Sequence, residues 1–125
     1  MMNIKRGDLY TAILDGKGNQ QNGKRPVLIY SNNKNNINAP TVNILPLSGE
    51  IKDLCVHVLI KGFGLRTESI ILPEQITTIN KTQLVRKIGT IDKKLMEKVD
   101  IAVDIQLGRI PFTINMFKNN PFEVA

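Results

Sequence analysis

Short apolar runs separated by polar breaks rich in glycine and asparagine occupy the earlier part of the chain. Leu9 to Leu14 reads as a first strand, and Asp15 to Gly23 as a polar, flexible loop after it. Pro26 to Ser31 is a short continuous apolar run, the pattern of a strand buried on both faces. An asparagine-rich connection, Asn32 to Asn38, leads to a third strand over Thr41 to Leu47. Val56 to Ile60 and Ser69 to Leu72 supply two more, with Lys61-Gly62-Phe63-Gly64 as the break between them. Five short strands joined by polar turns predict a small, strongly bent sheet or barrel.

Helical periodicity arrives later. Asn80 is placed to cap a short helix over Lys81 to Lys87, with Gln83 three residues on as in a capping box. Asp92 is placed to cap a longer one, in which Leu95, Val99, Ala102 or Val103, and Gln106 recur at helical spacing above a charged face. That stripe requires a partner surface, either the chain's own sheet or a second copy of the chain. The fold class is therefore mainly β with α. At 125 residues the chain suits one domain and one core.

Charge narrows the partners. Seventeen Lys and Arg against eleven Asp and Glu leave a formal charge of +6, which favours polyanions, most simply nucleic acid. Cys55 is the single cysteine, so neither an intrachain disulfide nor a cysteine-based zinc site is available, which suits a reducing, cytoplasmic setting. No apolar run approaches the roughly 20 residues that cross a bilayer. The single histidine, His57, excludes a two-histidine ribonuclease arrangement within one subunit; flanked by Val56 and Val58 it reads as a structural residue on a strand. Asp92, Asp100 and Asp104 alternate with Lys93, Lys94 and Lys98, a pattern of a solvated helix face, and no spaced His, Cys and carboxylate set suggests a metal. No cofactor fingerprint is present; the pair Gly16-x-Gly18 lacks the third glycine and following helix of a phosphate-binding loop.

Three segments carry candidate chemistry. Gly23-Lys24-Arg25-Pro26-Val27-Leu28-Ile29-Tyr30 sets an arginine between a polar loop and an apolar run, and Pro26 holds the residue before it extended. Lys5-Arg6-Gly7-Asp8-Leu9-Tyr10 precedes it, and Leu72-Pro73-Glu74-Gln75-Ile76-Thr77-Thr78-Ile79 follows. In this order and spacing they resemble the MazF/PemK family of toxin endoribonucleases, from about Lys5 to about Leu107; Arg109 to Ala125, with Phe112, Phe117 and Phe122, lie beyond the resemblance as a C-terminal extension.

The resemblance implies a small SH3-like barrel with helices, of the CcdB/MazF type, working as a homodimer on single-stranded RNA and neutralised by a cognate antitoxin whose acidic, extended segment occupies the RNA groove. It implies Arg25 and Ser48 as catalytic residues and Gln20, Lys24, Leu54 and Gln75 as substrate contacts. Arg25 would stabilise a phosphate whose charge grows in the transition state. Ser48 stands where the family usually has Thr, which keeps the hydroxyl. Gln20 stands where some members carry a carboxylate, and an amide is no proton acceptor, so no general base is evident. Thr77 replaces an arginine that often follows Glu-Gln-Ile. Without an activated protein nucleophile or a metal set, the simplest chemistry is attack by the RNA 2′-hydroxyl. Two other readings share the fold: a CcdB-like gyrase-binding toxin, against which the tail Asn119 to Ala125 lacks a terminal tryptophan, and a binding module whose catalysis has decayed.

Overall fold

The computed structural model describes residues 3–50 and 56–111. They form a seven-stranded antiparallel sheet. The strands are β1 (Asp8–Asp15), β2 (Asn22–Ile29), β3 (Thr41–Ser48), β4 (Val58–Ile60), β5 (Ser69–Ile71), β6 (Thr77–Asn80) and β7 (Leu84–Thr90). The order runs β4-β5-β3-β2-β1-β7, with β6 also on β3. Register shifts between Leu9 and Tyr10, and between Thr11 and Ala12, interrupt the β1–β7 ladder; such bulges bend a strand and sharpen its twist, giving the curled half-barrel expected of this sequence.

The sheet buries both faces where β1, β2 and β3 run side by side. One core gathers Leu9, Leu28, Leu45, Leu47, Val58, Ile60 and Ile71 beneath the helix α2 (Lys93–Gln106), which contributes Val99, Ala102 and Val103. The other holds Tyr10, Ala12, Leu14, Val27, Ile29, Val42 and Ile44, closed by Ile4, Ile79 and Leu84. This explains the uninterrupted run Val27-Leu28-Ile29: all three are fully buried because their alternating side chains enter different cores. The stripe on α2 thus packs on the chain's own sheet, and Asp92 caps the helix by accepting from Leu95 N–H at 2.8 Å. No helix among the described residues is long and apolar enough to cross a membrane.

Three local expectations are corrected. The segment 81–87 is not a helix: Gln83 Oε1 accepts from Asn80 N–H at 2.9 Å, but this closes only a 3₁₀ turn, Lys81–Gln83, before β7 begins. Leu84 is drawn into the second core, and pairing with β1 extends the backbone. The connection 32–38 contains a helix, α1 (Asn33–Asn38), which Asn32 caps by accepting from Asn35 N–H at 2.8 Å. Buried Asn36 satisfies its amide on Ser31, accepting from Ser31 Oγ at 2.6 Å and donating to the Ser31 carbonyl at 2.8 Å. Finally, β2 starts at Asn22, four residues before Pro26, so the loop after β1 is shorter than the sequence suggests, and β6 and β7 raise the strand count from five to seven.

Candidate active site

Arg25 lies in the outer half of β2, directly opposite Ala12 of β1. Residues two apart in a strand share a face, so Arg25 stands on the side of Val27 and Ala12, at the solvent end of the second core. Its side chain is exposed. The β2–β3 ladder pairs Ile29 with Ile44, Leu28 with Leu45 and Val27 with Pro46. It stops where Pro26 has no N–H to offer. The same register carried two residues further aligns Arg25 with Ser48, the last residue of β3. Strand alternation puts Arg25 and Ser48 on the same face of the sheet, beyond the last β2–β3 pair.

Ser48 is oriented from both directions. Its backbone belongs to the β3–β5 ladder opposite Ile70, and its Oγ accepts from Glu50 N–H at 3.1 Å. A hydroxyl accepting one bond still has its own hydrogen to donate.

The loop 16–21 is tied down beside this mouth. Gln20 Oε1 accepts from Lys17 N–H at 2.9 Å while Gln20 N–H donates to the Lys17 carbonyl at 3.1 Å, so the Gln20 amide closes its own turn. From the 3₁₀ turn Pro73–Gln75, Gln75 uses both ends of its amide: Oε1 accepts from Gln21 N–H at 2.7 Å and Nε2 donates to the Asn19 carbonyl at 3.1 Å. The turn itself is anchored in the interior, since the fully buried His57 holds Nε2 2.7 Å from Glu74 Oε2. Leu72 N–H donates to the Pro46 carbonyl at 2.9 Å, fastening the same turn to β3.

These segments enclose a cavity of about 210 Å³ whose wall includes Gln20, Gln21, Pro46, Glu74, Gln75 and Thr77. Of the residues singled out from sequence, Gln20 and Gln75 line it; Arg25 and Ser48 share the sheet face but are not among its lining residues. Lys24 belongs elsewhere: consecutive to Arg25 in a strand and opposite Ile13, it faces the other side of the sheet. Leu54 lies outside the described residues, as do Cys55 and most of the segment 49–55. Among the described residues no group of three or more His, Cys, Asp or Glu is placed to hold a metal ion.

Residues 5–107 match the model of the PemK-like, MazF-like toxin family of type II toxin-antitoxin systems. The chain belongs to this family. It is 41% identical over 116 residues to endoribonuclease EndoA of Bacillus subtilis, covering 89% of this chain and all of that relative. Among solved structures, MazF of Deinococcus radiodurans superposes with a TM-score of 0.77 at 16% identity, covering 86% of this chain and 99% of that one, a likeness of fold. A mycobacterial endoribonuclease solved in complex with its cognate antitoxin gives 0.69 at 25% identity, covering 90% and 100%.

Two features of this MazF-like chain were missed in its sequence. Glu74 lines the cavity beside Gln75, and the Glu-Gln-Ile segment could have flagged it. The His57–Glu74 contact joins residues 17 positions apart and no local pattern announces it; His57 is buried as its valine neighbours suggested, but it stands just before β4 rather than on a strand.

Proposed function

We propose that this MazF-like toxin is an endoribonuclease that cuts single-stranded mRNA at a short sequence through the substrate's own 2′-hydroxyl, independently of metal, and that a cognate antitoxin silences it. The observation that carries the reading is that Arg25, on β2, and Ser48, at the end of β3, stand on one face of the sheet, the face whose cavity Gln20 and Gln75 line. The 2′-hydroxyl passes its proton to solvent water as its oxygen attacks the adjacent phosphorus; the bond from phosphorus to the 5′-oxygen breaks, and that oxygen takes up a proton from water. The products carry a 2′,3′-cyclic phosphate and a 5′-hydroxyl. Arg25 neutralises charge on the phosphorane-like transition state, and Ser48 donates to a non-bridging oxygen. Bases splayed from the backbone meet the side chains around the cavity, where the Gln20 Nε2 still has hydrogens to donate. EndoA, an endoribonuclease by name, and the antitoxin-bound mycobacterial relative support the substrate and the inhibitor. The protein acts in the cytoplasm as a homodimer.

The test is an oligonucleotide whose ribose on the 5′ side of a mapped cut is replaced by deoxyribose, incubated in EDTA. Binding should persist and cleavage should vanish. Efficient cutting of the substituted strand would refute attack by the 2′-hydroxyl, and intact natural RNA accompanied by gyrase inhibition would favour a CcdB-like toxin.

A further inference from the structure

Lys24 opens onto a second groove, on the face of β2 that Arg25 does not share. Thr11 pairs with Pro26 on one side and Arg86 on the other, so the three side chains stand on that face together. A cavity of about 370 Å³ lies there; Lys24, Arg66, Arg86 and Lys87 line it, and no Asp or Glu does. Lys87 Nζ lies 3.4 Å from Asp8 Oδ1, while no ion pair among the described residues engages Lys24, Arg66 or Arg86.

The groove is built by close backbone packing. A Cβ on Gly89 of β7 would stand 1.9 Å from the Phe63 carbonyl oxygen, and one on Gly64, at φ +95°, would stand 2.4 Å from the Ile88 carbonyl oxygen. Only glycines let the 61–66 loop lie this near β7, which brings Arg66 to the strand that carries Arg86. Gathering like charges without an anion costs free energy, and a bound polyanion recovers it.

We propose that this cationic groove binds the sugar-phosphate backbone of the single-stranded RNA flanking the cleavage site. The inference rests on the RNA-cleaving reading above. Lys24 and Arg25 are consecutive, so the two faces are separated along the strand by one residue's rise, about 3.3 Å. Where the β2–β3 ladder has ended, one strand of RNA passes from the Arg25 mouth around the edge of β2 into the groove. The cationic side chains neutralise phosphate charges along the strand. The groove reads no bases; it lengthens the footprint and raises affinity for long transcripts.

The experiment compares a 20-nucleotide single-stranded RNA with about a six-nucleotide fragment of it, binding each to the wild type, Arg66→Gln/Arg86→Gln and Arg66→Lys/Arg86→Lys over a range of salt. The Gln variant should bind the long RNA about tenfold more weakly and flatten its logarithmic salt slope by about 1.4, the value for two fewer phosphate contacts on a single strand. Its loss on the fragment should be much smaller, and the Lys variant should recover most of the affinity. Unchanged binding of the long RNA by the Gln variant, or equal losses in both variants, overturns the proposal. So does a loss confined to an acidic antitoxin peptide, which would give the groove to a protein partner. Arginine-dependent binding by a wild-type protein that cuts no RNA would count against the cleavage reading alone.

Discussion

Tyr30 donates its hydroxyl hydrogen to Asp100 Oδ1 across 2.6 Å, joining the chain just past β2 to the middle of α2. The Arg6 guanidinium lies 4.4 Å above the Tyr30 ring and bonds both the Tyr30 carbonyl and Asp100, so a cation, an aromatic ring and a carboxylate hold the helix over its sheet. Burial first, and then the bond to Asp100, push the Tyr30 hydroxyl from 10.0 up to about 12. The fold favours the protonated hydroxyl. Its contribution is therefore complete below pH 10, the unfolded value, and is lost as pH rises toward about 12. Tyr30→Phe should lower stability by about 1–2 kcal/mol at neutral pH. It should also remove this component of the alkaline decline, read from thermal unfolding midpoints between neutral pH and about 12.

Arg25→Ala should lower single-turnover RNA cleavage by about a hundredfold or more, the scale of losing one preorganised transition-state donor. Because the side chain is exposed at the end of a ladder, the unfolding midpoint should barely move. Near-normal cleavage by this variant would remove Arg25 from the proposed chemistry.

Ser48→Ala should impair cleavage, and Ser48→Thr should retain substantial activity, since threonine keeps the hydroxyl that accepts from Glu50 N–H. Rates are compared on one mapped substrate at equal concentrations of folded protein. Equal activity in all three proteins would make Ser48 a turn residue.

Gln75→Ala deletes both bonds that fasten the 16–21 loop, each worth about 1 kcal/mol. The expected result is faster proteolytic nicking within the loop and about a tenfold fall in kcat/KM, the factor corresponding to roughly 1.4 kcal/mol. Gln75→Glu should do no better, because a carboxylate oxygen would face the Asn19 carbonyl in place of a donor. Wild-type protease resistance in both variants would show that the loop is held by other contacts.

What was legible in the sequence is what local pattern encodes. The apolar runs marked β1 and β3, the capping aspartate and its stripe marked α2, and Pro26 marked the extended backbone of Arg25, although that arginine lies inside β2 rather than at its entrance. The failures occur where distant partners decide. The Asn80 and Gln83 pairing is present as read, yet it commits only one turn, and the following residues gain more from β1 than from continuing a helix. Conversely, asparagines that are poor helix formers make α1 because Asn32 caps it and Ser31 receives the Asn36 amide. Lys24 and Arg25 are neighbours in sequence, and strand geometry sends them to opposite faces of the sheet. The amide of Gln75 was read as a substrate contact, but the backbone of the 16–21 loop already occupies both of its ends.

The triple attachment of β3 has a dynamic consequence. One edge is bonded to β2, and the other to β6 along Thr41–Ile44 and then to β5 at Leu47 and Ser48, so no neighbour can detach without disturbing the rest. Amide protons of Ile44, Leu45 and Leu47 should therefore exchange with deuterated solvent only when the whole domain opens, with protection tracking global stability as denaturant is added, while those of the 16–21 loop exchange through small local fluctuations. Ser48 would then sit on the slowest-opening strand and Gln20 on a fast-opening segment, so that, in the proposed reading, the chemistry rests on a rigid frame and the base contacts on a loop that adjusts.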